Sequence, residues 1–222
     1  MAQTPKGKAK SARDLRRGLP TREPYDRILI VCEGKKTEPN YFHEIRQEGR
    51  ISTVHICISP SQLGTQPLQV VNSAVALFHE KKRAFEKVFA VFDRDDHSTY
   101  NNAINRAESL SSNGDLINDE GKQATFKAIV SVPCFELWLL LHYANIQSYF
   151  HRREILHQLQ THITNYEKGQ NGLYKLTQDF LPKATERAEN LRNRFSCLPG
   201  EEAYTDVDEL VGILRSIKSS KR

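Results

Sequence analysis

The chain has 222 residues, of which 38% are hydrophobic and 27% charged. That length and balance suit one ample folded domain, or one domain with a helical extension. No window approaches the roughly eighteen uninterrupted apolar residues of a spanning helix, and the polar, basic N-terminus is not the pattern of a secretory signal. The net charge of +5 sits at one end. Residues 1–22 hold seven basic side chains (Lys6, Lys8, Lys10, Arg13, Arg16, Arg17 and Arg22) against Asp14, a net of +6 that leaves the other 200 residues near −1. A basic arm of this kind either helps hold nucleic acid or serves as a solubilising leader. Cys32, Cys57, Cys134 and Cys197 lie far apart and form no CxxC pair. Three of them sit in or beside apolar runs, which suits small buried hydrophobes of a reducing compartment, with no structural zinc and a cytoplasmic location.

Residues 1–24 lack periodicity and carry Gly18, Pro20 and Pro24, so they read as a flexible arm. Ile28 to Cys32 (ILIVC) is a continuous apolar run, expected as a buried first strand. It ends at Glu33-Gly34, with Lys35, Lys36, Thr37 and Glu38 following, and Pro39 suits the first turn of a helix to about Glu48. GKKT lacks the GxxxxGK[ST] spacing of a phosphate loop. Ser52 to Ser59 alternates like a second strand, and Leu68 to Phe85 places Val71, Val75 and Phe78 at helical spacing.

Val88 to His97 (VFAVFDRDDH) organises what surrounds it. Five apolar residues, four of them aromatic or β-branched, run into Asp93, Asp95 and Asp96. A buried parallel strand delivers such residues to the carboxyl edge of its sheet, where open α/β folds keep their ligand sites. Crowded carboxylates repel unless a cation neutralises them, and hard oxygen ligands favour Mg²⁺ or Mn²⁺. An acidic, solvated turn is the plainer reading of the same residues. Alternate residues of extended chain point the same way, so Asp93-x-Asp95 could share one ion, with His97 near enough for acid–base work.

A helix is expected over Ser98 to Asn113, then another apolar strand over Thr125 to Val132. After Pro133, Cys134 to Tyr143 (CFELWLLLHY) reads as a helix buried nearly all round, with Glu136 in its first turn. A carboxylate there either steadies the helix N-terminus or joins the other acids at the sheet edge. Beyond Asn145 the pattern is helical only: Arg152 to Ile163, Leu173 to Leu181, Lys183 to Phe195, and a last helix capped near Thr205-Asp206-Val207-Asp208 and running through Ile217. The expectation is an α/β fold with a mostly parallel sheet flanked by helices, spanning residues 25–145, followed by a helical C-terminal region over 146–222.

ILIVCEGKKTEPNYF, VFAVFDRDDH and SVPCFELWLLLHY resemble the sequence blocks of the RloB-like family, and AYTDVDELVGIL resembles its C-terminal end. That family is similar to proteins with a Toprim-type fold and is associated with restriction and anti-phage loci. Toprim domains serve topoisomerases, primases and nucleases, all of which use metal in phosphodiester chemistry. The resemblance implies Glu33 as catalytic glutamate, acting as base or metal ligand, and Asp93 and Asp95 as ligands of Mg²⁺ or Mn²⁺. His97 joins them as a catalytic candidate. Glu38, Asp96 and Glu136 are further site carboxylates, and Lys35, Lys36 and Lys168 candidate phosphate contacts.

No tyrosine stands out as a topoisomerase nucleophile and no zinc-binding or helicase segment suggests a primase, which leaves a nuclease acting on RNA (tRNA included) or DNA in anti-phage defence. The resemblance also implies a partner ATPase or restriction protein. A non-catalytic subunit that binds metal or a nucleotide is the alternative, and phosphoryl or nucleotidyl transfer to a small molecule would use the same metal chemistry.

Overall fold

A computed structural model describes residues 25–95, 97–194 and 203–217. The first half alternates strand and helix: β1 (Ile28–Cys32), α1 (Thr37–Glu48), β2 (Ile56–Pro60), α2 (Pro67–Glu80), β3 (Lys87–Asp93), α3 (Tyr100–Asn113) and β4 (Thr125–Val132). Then come α4 (Glu136–Leu141), α5 (Arg152–His162), α6 (Leu173–Thr177), a short 3-10 turn (Gln178–Phe180), α7 (Leu181–Arg194), β5 (Tyr204–Thr205) and α8 (Val207–Ser216). The sheet order is β2-β1-β3-β4-β5. The first four strands run parallel and β5 pairs antiparallel to β4. The fold is thus α/β with a mostly parallel sheet flanked by helices. No helix among the described residues is long and apolar enough to cross a membrane.

Parallel strands buried on both faces need apolar side chains at every position, and β1 and β3 supply them. Ile28, Ile30 and Cys32, with Phe89 and Val91, join the core built on α1 and α4 to α8. Leu29 and Val31, with Val88, Ala90 and Phe92, join the opposite core under α2 and α3. Strand alternation puts Asp93 on the same face as Phe89 and Val91. The last residue of β3 therefore enters the layer between the sheet and helices α1 and α4.

Helix α4 is buried along its whole length, as its run of leucines around Trp138 requires. Within it the indole of Trp138 donates from Nε1 to the Tyr41 hydroxyl at 3.0 Å. Residue chemistry also marks several helix starts. Pro67 opens α2 with a capping box between Gln66 and Gln69, and His151 with Glu154 forms a second box at α5. Helix α3 stops at Gly114, which takes a left-handed φ of 69°.

Several boundaries differ from the sequence reading. The second strand starts at Ile56 rather than Ser52, because residues 53–55 form a turn closed by His55 N–H donating to Ser52 O at 3.1 Å. The α3 helix starts at Tyr100, and α4 occupies only Glu136–Leu141. The region after Asn145 is not purely helical. Strand β5 is two residues long, too short to leave a periodic signal, and is held by β4 pairing and a contact between Ser131 Oγ and Thr205 Oγ1 at 3.0 Å. The basic arm (1–24), Asp96, Cys197 and residues 218–222 lie outside the described residues.

Removing the Tyr41 hydroxyl would strand the buried Trp138 N–H. Tyr41→Phe is expected to lower the unfolding free energy by about 1–3 kcal/mol in urea titration, with an unchanged m-value. Wild-type stability in that variant would mean the pair contributes nothing.

Candidate functional site

The ends of β1 and β3 lie side by side, since Cys32 is in register with Val91. Glu33 N–H continues the ladder onto Val91 O at 2.8 Å. The carboxylate of Glu33 then folds back, and its Oε2 accepts the Asp93 N–H at 2.9 Å. Beyond Asp93 the chain is held by the end of β4: Arg94 N–H donates to Ser131 O at 2.9 Å, and Asp95 N–H to Pro133 O at 3.2 Å. Asp95 takes a φ of +36°, in the left-handed region where Asp is one of the better tolerated side chains. Asp93 and Asp95 are therefore not alternate residues of one extended strand, as their spacing suggests. Asp93 ends the strand and turns inward, while Asp95 sits in a separate turn above it.

That turn gathers a different trio. One ligand atom each from Glu33, Asp95 and His97 lies within 4.8 Å of the other two, and His97 Nε2 stands 4.0 Å from Glu33 Oε1. Asp93 lies just below, 5% exposed, with its Oδ2 3.9 Å from the Arg152 guanidinium. It shares a cavity of about 300 Å³ with Glu33, Glu38 and Glu136. Lys35, Lys36 and Lys168 line the same cavity. Glu38 is 6% exposed and Glu136 is 2% exposed, so these acids have little water to solvate them.

The electrostatics follow from that crowding. Burial, reinforced by the charge of Asp95, pushes the Glu33 carboxyl up to about 7, against the opposing Asp93 N–H. Burial also raises Glu38 to about 7, with Glu33 and Glu136 adding to the effect. Asp93 is driven well above the usual carboxylate range by burial and then by Glu38, Glu33, Glu136 and Asp95. Cations also line the cavity, but among its described lysines and arginines only Arg152 and Lys168 form ion pairs with its acids.

The arginine and lysine that form ion pairs with these acids come from the second half of the chain. Arg152, the first residue of α5, pairs with Asp95 as well as facing Asp93. Lys168 Nζ lies 3.3 Å from Glu136 Oε1, which also accepts the Tyr166 hydroxyl at 3.2 Å. The loop bearing Lys168 is tied down on α1: Asn40 Nδ2 donates to Gly169 O at 2.9 Å, and Glu44 accepts N–H groups of Gly172 and Tyr174 at 2.5 and 2.8 Å. At Gly169, with φ +82°, a Cβ would come within 2.7 Å of the Lys36 Cβ. At Gly34 it would meet Glu38 Oε2 at 2.3 Å. Backbone and acid are thus packed together with no room for a side chain on Gly34.

The family model for RloB-like protein matches residues 28–214. The chain belongs to the RloB-like family. No curated protein and no solved structure matches it. In this RloB-like chain every described acidic candidate from the sequence reaches the same sheet edge, Asp96 lying outside the described residues. Asp93 falls outside the converging trio that His97 completes. Lys168 is engaged by Glu136 rather than left open for phosphate, while Lys35 and Lys36 line the cavity without an ion pair among the described residues. Arg152 and Tyr166 were not legible as site residues. They reach it from the start of a surface helix and from a polar loop, positions that carry no motif.

A carboxyl whose pKa is raised by folding stabilises the protein fully below its unfolded value, near 4.5, and loses that contribution as pH rises through 7. His142, lowered to about 4 by burial, acts in the opposite sense but only below its ordinary value of 6.5. Between about pH 6.5 and 8 the melting temperature in EDTA is therefore expected to fall, and saturating Mg²⁺ or Mn²⁺ to flatten the slope. A melting temperature independent of pH in EDTA would contradict the raised carboxyl groups.

Proposed function

We propose that this protein is a divalent-metal-dependent nuclease that hydrolyses phosphodiester bonds of RNA or DNA. The observation that carries the reading is the convergence of Glu33, Asp95 and His97 above the buried acids Asp93, Glu38 and Glu136. The two carboxylates suit Mg²⁺ or Mn²⁺, hard cations that prefer oxygen ligands, and the imidazole tilts the set toward Mn²⁺ over Mg²⁺. Such an ion, bound there, supplies Lewis-acid stabilisation of phosphate oxygens and a more acidic water.

The remaining work falls to the chain's own side chains. Glu33 is held by the Asp93 N–H through one oxygen, which fixes the direction of the other. Glu38, raised to about 7, is matched to neutral pH and takes up the proton lost by the attacking water. Lys35 and Lys36, beside the cavity mouth, meet the phosphate. Arg152 is 37% exposed in its side chain, so its pairing with Asp95 is of the weakly held kind. It exchanges Asp95 for the scissile phosphate when substrate arrives.

The Toprim-type resemblance and its link with anti-phage loci support placing this activity in defence, alongside a partner ATPase or restriction protein. One observation favours a second reading, that of a non-catalytic metal- or nucleotide-binding subunit: Arg152 and Lys168 already partner Asp95 and Glu136. A site balanced by its own cations can bind without turning over.

Asp95→Asn and Glu33→Gln are expected to weaken Mn²⁺ binding about tenfold or more in calorimetry and to abolish metal-dependent cleavage of mixed RNA and DNA. Glu38→Gln should lose cleavage while still binding Mn²⁺. Cleavage at the wild-type rate by Asp95→Asn would refute the mechanism, and tight Mg²⁺ or nucleotide binding with no cleavage by the wild type would favour the second reading.

A further inference from the structure

The cavity that holds Glu33, Asp93 and Glu136 does not stand alone. Arg152 forms part of its wall and also part of a second, larger groove of about 910 Å³, which contains Asp95 and His97. Tyr149, His151 and Arg153 also line that groove. Tyr149 is 38% exposed, and its ring meets the His151 ring edge-on with centroids 5.4 Å apart. Arg153 is exposed and makes no ion pair among the described residues. The groove thus offers an aromatic platform and a guanidinium directly beside the acidic centre.

We infer that this groove is the binding track for an unpaired nucleic acid strand, with a nucleotide flanking the scissile phosphate stacked on Tyr149 and its phosphate met by Arg153. The inference rests on the nuclease reading and deepens it by naming the substrate class. Two features select a single strand. Every base has a π-face, so an aromatic ring beside a cation grips unpaired nucleotides without regard to sequence. Glu33 and the base Glu38, which the phosphate must approach, lie in the smaller cavity, Glu38 being 6% exposed. A flexible strand can bend one linkage into that cavity, whereas a stiff duplex presents its backbone only along a broad convex face. Lys35 and Lys36, exposed residues of the cavity lining, extend the track beyond the groove. The charge of the groove alone is nearly balanced, since Glu154 and Asp95 offset Arg152 and Arg153. Stacking therefore contributes more than phosphate attraction on this side.

The test uses the whole protein and short fluorescein-labelled oligouridylate, oligothymidylate and blunt duplex, with binding read by anisotropy in Ca²⁺ and cleavage read separately in Mg²⁺. Unpaired strands should bind at least several-fold more tightly than duplex, and the two sugars distinguish RNA from DNA. Tyr149→Ala should weaken strand binding by about tenfold, Tyr149→Phe should retain it, and Arg153→Ala should weaken it with a smaller salt dependence. Both positions are at the surface, and an unchanged melting temperature would verify that the variants fold. If the wild type cleaves but Tyr149→Ala and Arg153→Ala bind strands as it does, the groove is not the track, though the nuclease reading stands. If the wild type binds strands through Tyr149 yet cleaves nothing, the track stands and the nuclease reading falls. Preference for duplex, or no binding of any nucleic acid, would overturn the inference.

Discussion

Carboxyl groups facing one another without water set the terms for this structure. Glu38, Asp93 and Glu136 are almost completely buried on one face of the sheet, and Glu33 joins them from the neighbouring strand end. Two like charges about 4 Å apart repel by about 4 kcal/mol at an effective dielectric of 20, several times what an exposed ion pair returns. The half-exposed Arg152 and Lys168 cannot offset several such repulsions. The acids respond by holding protons to higher pH, which is what burial and mutual charge do to Glu33, Glu38 and Asp93.

The scaffold makes the crowding possible. Strands β1 and β3 adjoin at the centre of the order β2-β1-β3-β4-β5, so their ends deliver Glu33 and Asp93 to adjacent positions. Helix α4 is anchored by Leu137 to Leu141, all in the core, and these hold Glu136 at its first turn. The second half of the chain contributes differently. It packs its apolar faces into the same core as α1 and sends two cations, Arg152 and Lys168, over the acids. A substitution far from the sheet, in the loop that Asn40 and Glu44 hold, would thus change the electrostatics of the site through Lys168 alone.

Much of this was legible in the residues because it follows from short-range rules. ILIVC and VFAVF are too apolar for anything but buried parallel strands, and a carboxylate immediately after such a run lands at the sheet edge. What could not be read came from contacts across long sequence separations or from single dihedral angles. Arg152 meets Asp95 across fifty-seven residues, with no spacing to signal the pair. The left-handed turn at Asp95 breaks the simple Asp-x-Asp geometry and moves the metal-binding candidates from Asp93 toward His97. Strand β5 exists only because β4 offers it an edge.

The account depends on a cation completing the cluster at Glu33, Asp95 and His97. Crystals soaked in Mn²⁺ and measured at the manganese absorption edge test this directly. The account predicts an anomalous peak among Glu33, Asp95 and His97 at ordinary metal–ligand distances, with Arg152 turned away from Asp95. Crystals saturated with Mn²⁺ but with no peak there, and Arg152 still on Asp95, would contradict it.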